Sequence, residues 1–252
     1  MKTYSQYYQD FFIDILLSRK LNGFFLDIGA HDGVTYSNTF KFEKFRDWKG
    51  ICIEPNPSVF EKLKANRNCF FENCCISDKD GEVIFRKIIG HAEMLSGILD
   101  CFDEQHIERI NIDISQNGGS YQDIVIKSKN INNILANYNV TDIDFCSLDT
   151  EGAELSIVNS IDFVKYNIRS FSIEKNNESS VKDLLIAKGY TCIGSECDNI
   201  YVKKSSIGYS KLILVYILIK SYIFCHTLYI KVHHIAYLIK QFIYRKLSAV
   251  KK

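Results

Sequence analysis

Proline is nearly absent, with two in 252 residues, which excludes a collagen-like or proline-rich disordered chain. The nine cysteines never stand as Cys-x-x-Cys, and their count is odd. Cys192 and Cys197 have no second ligand pair nearby, so neither a zinc site nor a disulfide framework is expected. Cys52, Cys74, Cys75 and Cys146 lie in apolar runs and read as small core residues of a reducing compartment. The 13 glycines follow no period, which excludes a repeat protein. A net charge of only +1 gives no global pull on nucleic acid, and none is expected as a partner. Thr3 to Gln6 are polar and lack the basic-then-apolar pattern of a signal peptide, so a cytoplasmic location is expected. Another absence is local: no Asp or Glu occurs from Ser205 to Lys252, where eight Lys or Arg stand. The rest holds 23 basic and 30 acidic residues, a net −7. The chain divides into an acidic body, 1–204, and a basic apolar tail, 205–252.

The apolar share of 46% suits a globular body of about one domain. Apolar spacing predicts an opening helix from Tyr8 to Leu17. Phe24 to Ile28, Gly50 to Ile53, Cys69 to Ile76, Ile143 to Leu148 and Ile168 to Ile173 are short continuous apolar runs, the mark of buried parallel strands. Helices are predicted between them at Asn38 to Phe45, Ser58 to Ala65, Asn130 to Tyr138, from Glu154, and at Val181 to Lys188. Thr191 to Ile193 and Asn199 to Val202 form a terminal strand pair. Residues 80–128 are less regular, with strands at Val83 to Phe85 and Ile124 to Ile126 flanking a helical stretch from Ile98 to Ile114. Such alternation predicts a doubly wound, mostly parallel α/β sheet. Its polar clusters follow strand C-termini, where ligands bind in open sheets.

The sharpest cluster is FLDIGAHDG, Phe25 to Gly33, followed 21 residues later by Glu54 at the end of the next strand. A glycine loop admits a ligand to the backbone, and a strand-end acid can accept hydrogen bonds from ribose hydroxyls. A nicotinamide dinucleotide wants Gly-x-Gly-x-x-Gly with a pyrophosphate on a helix N-terminus. This loop is instead Gly29-x-x-x-Gly33, with Asp27 before it and Asp32 inside it. Two carboxylates suit S-adenosylmethionine, which carries a sulfonium and an ammonium and no phosphate. A tight turn without ligand is the bland alternative.

FFLDIGAHDGVTYSNTFKFE, WKGICIEPNP, AEMLSGILD, DIDFCSLDTEGAELSIV and the Glu-ended RSFSIE occur in order over the body. With these motifs the chain resembles the FkbM family of S-adenosylmethionine-dependent methyltransferases. The resemblance implies a class I methyltransferase (Rossmann-like) fold, a seven-stranded sheet whose last hairpin holds an antiparallel strand, and usually O-methylation. It implies that Asp27, Gly29, His31 and Gly33 cradle the methionine part and ribose, and that Glu54 holds the ribose hydroxyls. Ser77 and Asp78 are expected at the adenine, or else form a polar turn. Asp149, Glu151, Glu154 and Glu174 are expected on the acceptor side. Asp149 is the first choice for a general base, with helix capping or ammonium binding as its alternatives. Glu154 can simply begin a helix. Asp149, Glu174 and Asn176 could instead hold Mg²⁺, although no metal is assigned. His31 reads as a hydrogen-bonding residue or a base.

The tail lies outside the family pattern. Between Lys211 and Lys231, 15 of 19 residues are apolar, and the basic residues (Lys211, Lys220, Lys231, His234, Lys240, Arg245) mark no polar face. Such a helix is buried in protein or lipid. Nineteen residues would reach about 28 Å, close to a bilayer core. Lys220 at the middle opposes spanning by roughly 2.5–3.5 kcal/mol. The expectation is membrane association, spanning or interfacial, against burial on the body or a second subunit. It favours a sugar or glycan hydroxyl as acceptor, at a cytoplasmic membrane face. The rival from another class is a membrane-tethered scaffold with the fold but no turnover.

Overall fold

The computed structural model of the chain describes residues 2–175, 178–194 and 198–226. Asn176, Cys197 and the tail beyond His226, all named above, lie outside the described residues. The strands are β1 (Phe24–Ile28), β2 (Lys49–Ile53), β3 (Phe70–Glu72), β4 (Cys75–Ser77), β5 (Gly81–Gly90), β6 (Gly97–Ile98) and β7 (Gly119–Asn130). They continue with β8 (Asp142–Ile143), β9 (Phe145–Leu148), β10 (Asn167–Ile168), β11 (Ser170–Glu174), β12 (Tyr190–Gly194) and β13 (Asp198–Lys203). The helices are α1 (Gln9–Leu16), α2 (Phe40–Arg46), α3 (Pro57–Asn66), α4 (Glu104–Asn117), α5 (Ile131–Asn137), α6 (Glu154–Ser160) and α7 (Glu178–Ala187). A last helix, α8, runs over Tyr209–His226.

Seven strands form the central sheet in the order β3-β2-β1-β9-β11-β13-β12. The first five run parallel, and β13 is antiparallel to both its neighbours. The expected sheet, with its antiparallel strand in the last hairpin, is therefore present. Its strands bury both faces, and the period of two sorts their side chains. Leu26, Ile28, Cys146 and Leu148 enter one apolar cluster with Ile134, Ile157, Val181 and Leu185 from α5, α6 and α7. Phe25 and Phe145 enter the other, with Phe12, Ile13 and Leu16 of α1, Phe42 of α2 and Leu63 of α3. Pro57 opens α3, and the Asn56 side chain before it accepts from the Ser58 N–H, a local stop-and-start legible in the sequence.

The fold departs from the expected elements where polar side chains interrupt apolar runs. Cys69 to Ile76 is not one strand. The Asn73 amide donates to the carbonyls of Glu54 and Pro55, and the chain leaves the central sheet there. β3 stays on the sheet edge, while β4 pairs with β7 in a separate four-stranded sheet of order β4-β7-β5-β6. The strand expected from Ile143 to Leu148 breaks at buried Asp144, which binds Lys20 and Arg169. Arg169 in turn splits the strand expected at Ile168 to Ile173.

Residues 80–130 are far more regular than expected. β5 and β7 pair antiparallel from Gly81↔Ser128 to Gly90↔Gly119. The ribbon is half-exposed and carries cross-strand polar pairs such as Arg86 with Asp123, so its apolar alternation is weak in sequence. Between its strands α4 starts at Asp103, whose carboxylate accepts from the His106 N–H, and ends at Gly118. This insert lies over the C-terminal ends of the parallel strands and contributes Phe85, Met94, Leu95, Ile98 and Arg109 to a cavity there.

Candidate active site

A cavity of about 240 Å³ opens where β1, β2, β9 and β11 end. Asp27, Gly29, His31, Glu54, Asp149, Glu151 and Glu174 all line it. Residues spread over more than 140 positions of sequence thus share one recess, because parallel strands point their C-terminal ends the same way.

The loop after β1 consumes its own backbone donors. The N–H groups of Gly29 and Ala30 both donate to the Ile53 carbonyl at 3.0 Å, and Gly33 donates to Ala30 at 2.9 Å. His31 N–H donates to Glu54 Oε2 at 2.9 Å. Val34 and Thr35 N–H donate to Asp32 Oδ1 at 2.9 and 2.7 Å. These amides leave no nest for a pyrophosphate. Gly33 does not line the cavity; it turns the loop at φ 80° against Leu63 and Arg67.

Glu54 is buried, and its second oxygen accepts from Asn56 N–H at 2.8 Å. Burial pushes its carboxyl up to about 7, against the pull of the Asn56 and His31 amides. With one backbone donor on each oxygen, acceptor capacity remains for a ligand hydroxyl. Asp27 is also buried, and burial raises its pKa although Arg67, 3.9 Å away, and the Thr39 hydroxyl, donating at 2.5 Å, oppose this. Arg67 is a residue that sequence reasoning missed. Its buried guanidinium ties the Gly33 carbonyl, Thr39 and Glu43 together and so holds the loop.

At the other side of the cavity Asp149, Glu151 and Glu174 bring carboxylate oxygens within 4.8 Å of one another. Asp149 is open to the cavity yet enclosed by protein around it, and desolvation with the charges of Glu174 and Asp198 raises its carboxyl well above the usual range. Glu151 rises to about 8 through burial and its neighbour Asp149, and Glu174 to about 8 through burial and Glu151. His106 and Arg109, both from α4, face Glu151 at 3.4 and 4.0 Å. Sequence reasoning missed these two; their spacing of one helical turn inside a polar insert was the only signal.

Two expected placements differ in the structure. Ser77 and Asp78 are not at the cavity, because β4 carries them into the second sheet. The Ser77 hydroxyl bonds Ser128 and the Lys79 carbonyl, and the Asp78 carbonyl accepts from Asn130, which is the polar turn. Glu154 does not face the acceptor side. It is fully buried and accepts from Thr150 N–H, Thr150 Oγ1 and Gly152 N–H, so it braces the turn that presents Asp149 and Glu151. His31 lines the cavity at φ 49°, its ring nitrogens 3.7 Å from Asp32 and 3.5 Å from Glu93 and without hydrogen-bond partners.

The raised carboxyls give stability an unusual pH dependence. Glu54, Glu151 and Glu174 keep protons in the folded state that the unfolded chain has lost. Their stabilising contribution is complete below the ordinary carboxylate range and lost as pH rises through about 7 to 8. The melting temperature should therefore fall between pH 6 and 8.5. Glu151→Gln combined with Glu174→Gln should flatten that slope, and a melting point that rises over this interval would contradict the raised values.

The strand order, the glycine loop after β1 and the acid ending β2 define a class I methyltransferase fold. The methyltransferase FkbM domain matches residues 27–192, and the chain belongs to that family. Among solved structures, a methyltransferase from Pyrococcus furiosus is similar at 15% identity and a TM-score of 0.38, covering 77% of this chain and 80% of that one. The METTL16 methyltransferase domain is similar at 13% identity and a TM-score of 0.41, covering 76% and 63% respectively. A precorrin-6y C5,15-methyltransferase from Geobacter metallireducens is similar at 10% identity and a TM-score of 0.38, covering 77% and 84%. No curated protein sequence matches the chain.

Proposed function

We propose that the protein is an S-adenosylmethionine-dependent O-methyltransferase acting on a hydroxyl of a sugar, glycan or small molecule. The observation that carries this reading is an acid-lined cavity whose glycine loop has its amides already engaged. Such a recess suits a ligand with a sulfonium, an ammonium and a ribose, and it repels a pyrophosphate. Glu54 would hold the ribose hydroxyls, with Asp27 and the loop at Gly29 and His31 beside it. Ile53, Cys75, Ile76 and Phe85 offer an apolar wall for the base. Bound there, S-adenosylmethionine supplies an electrophilic methyl group.

The residues of the chain do the rest. An acceptor hydroxyl is a weak nucleophile until its proton leaves. Asp149 and Glu174, with carboxylate oxygens within 4.8 Å, titrate as an interacting pair, and the ionised member accepts the hydroxyl proton at a carboxylate oxygen. Burial and the crowding of Glu151 with the pair raise these carboxyls, so the pair holds protons near neutral pH and a member becomes the base as pH rises. Leu95 and Ile98 of the insert help exclude water from the recess. A sugar or glycan acceptor suits an enzyme whose basic, acid-free tail would hold it at a membrane surface.

Titration calorimetry on the full chain tests the donor. Binding of S-adenosylmethionine without binding of NAD is expected. Glu54→Gln keeps the shape and removes the charge, and it should weaken donor binding by roughly 1.5–3 kcal/mol. An unchanged affinity in that variant, or a preference for NAD, would refute the donor assignment.

A further inference from the structure

Helix α8 is long and apolar enough to cross a membrane, yet one of its faces is already occupied. Val215 and Ile219 are fully buried in the cluster that contains Phe12, Ile13 and Leu16 of α1. Tyr222 packs its ring 4.8 Å from that of Tyr8 and 6.1 Å from that of Phe12. Spacings of four and three place these residues on one side of the helix. The opposite side is apolar as well. Ile213, Leu214, Tyr216, Ile217 and Phe224 are 43% to 69% exposed, and Tyr209 is 79% exposed. A surface helix in water carries polar residues there, and a contiguous exposed apolar face marks an interaction surface. The one charged residue on that exposed side, Lys220, reaches sideways with its ammonium 5.5 Å from the Tyr216 ring centre, while Lys211 bonds Ser18.

Charge identifies the occupant. From Ser205 to Lys252 there are eight Lys or Arg and no acid. A second copy related by a twofold axis would bring the same acid-free basic segment against this one. An anionic lipid surface complements it. We infer that α8 is an in-plane membrane helix of a peripheral protein. Its Val215–Ile219–Tyr222 face stays on α1. Its Ile213–Ile217–Phe224 face enters the acyl boundary of an anionic leaflet, and Lys220 snorkels to the headgroups. Spanning would require undocking Val215, Ile219 and Tyr222 from the body. This surface does not depend on what the cavity binds.

The test is flotation of the full chain with vesicles of phosphatidylcholine, alone or with about one third phosphatidylglycerol. The chain should float with the anionic vesicles and at least about tenfold less with the neutral ones. Ile217→Asp with Phe224→Asp, both at exposed positions, should lower the bound fraction by about tenfold or more with an unchanged melting temperature. Lys220→Glu, a milder change at the same face, should weaken anionic binding several-fold. Salt at 1 M should release part of the protein, since only the electrostatic share is screened. Flotation that ignores all these substitutions, or retention through alkaline carbonate extraction as for a spanning helix, overturns the inference. So does a full-length dimer that ignores vesicles and dissociates when Ile217 and Phe224 are changed, because a second copy then covers the face.

Discussion

Asp149→Asn should lower turnover by roughly 10²–10⁴-fold while leaving the fold and the donor affinity within a few-fold. Asp149 follows β9 at the mouth of the cavity beside Glu174, and under the proposed function its carboxylate would take the proton of the acceptor hydroxyl. The amide keeps the shape and removes the basicity. Release of S-adenosylhomocysteine with a panel of sugar and small-molecule hydroxyls measures it. The parent rate should also climb with pH, because the active form is the deprotonated one. With Glu151 and Glu174 near 8, kcat/KM should rise through neutral pH and level off above about 8. A variant that retains turnover within a few-fold would move the base to Glu174 or His31.

Gly29→Ala should cost more than any other single methyl group in this loop. Gly29 sits at φ 85°, and a Cβ there would lie 1.7 Å from the Asp149 carbonyl oxygen. The left-handed backbone alone disfavours alanine by roughly 1–2 kcal/mol. The overlap is with backbone, which cannot rotate away, so the ends of β1 and β9 must separate. A loss of about 3 kcal/mol or more is expected, together with loss of donor binding, since both walls of the cavity move. Gly33→Ala is the control. It has a similar φ of 80°, but its Cβ would meet side chains, Leu63 and Arg67 at 2.6 Å, rather than backbone. Its penalty should exceed the backbone strain of about 1–2 kcal/mol, because both side chains are buried, yet stay below that of Gly29→Ala. Equal melting temperatures for the two variants would mean that the contact of Gly29 with β9 does not constrain the loop.

Much of this site was legible one residue at a time. Asp27, Gly29, His31, Glu54, Asp149, Glu151 and Glu174 were each expected at the ligand-binding edge, and all line one cavity. Each stands at or just after the end of an apolar run, and short buried parallel strands write themselves as such runs. Ser77 and Asp78 followed the same rule and failed it. Leaving the central sheet at Asn73 depends on hydrogen bonds to Glu54 and Pro55, which lie 19 and 18 positions away. No local pattern records that pairing. The β5–β7 ribbon was hidden for a related reason: its stability comes from cross-strand partners such as Arg86 with Asp123, and little of it is buried.

The tail divides the two kinds of information most clearly. Composition alone determined that residues 205–252 are apolar, basic and free of acid, and that a helix there must bury apolar surface somewhere. Periodicity also determined the parallel sheet and the order of its motifs, because strand alternation and buried runs are local properties. Only the tertiary structure decided that α8 lays Val215, Ile219 and Tyr222 on α1 and turns Ile213, Ile217 and Phe224 outward. Only it decided that Glu154 braces a turn while Asp149 and Glu174 face each other in the cavity. The direction of a side chain and the company it keeps are set by elements far away in sequence, whose packing and desolvation no single stretch of the chain contains.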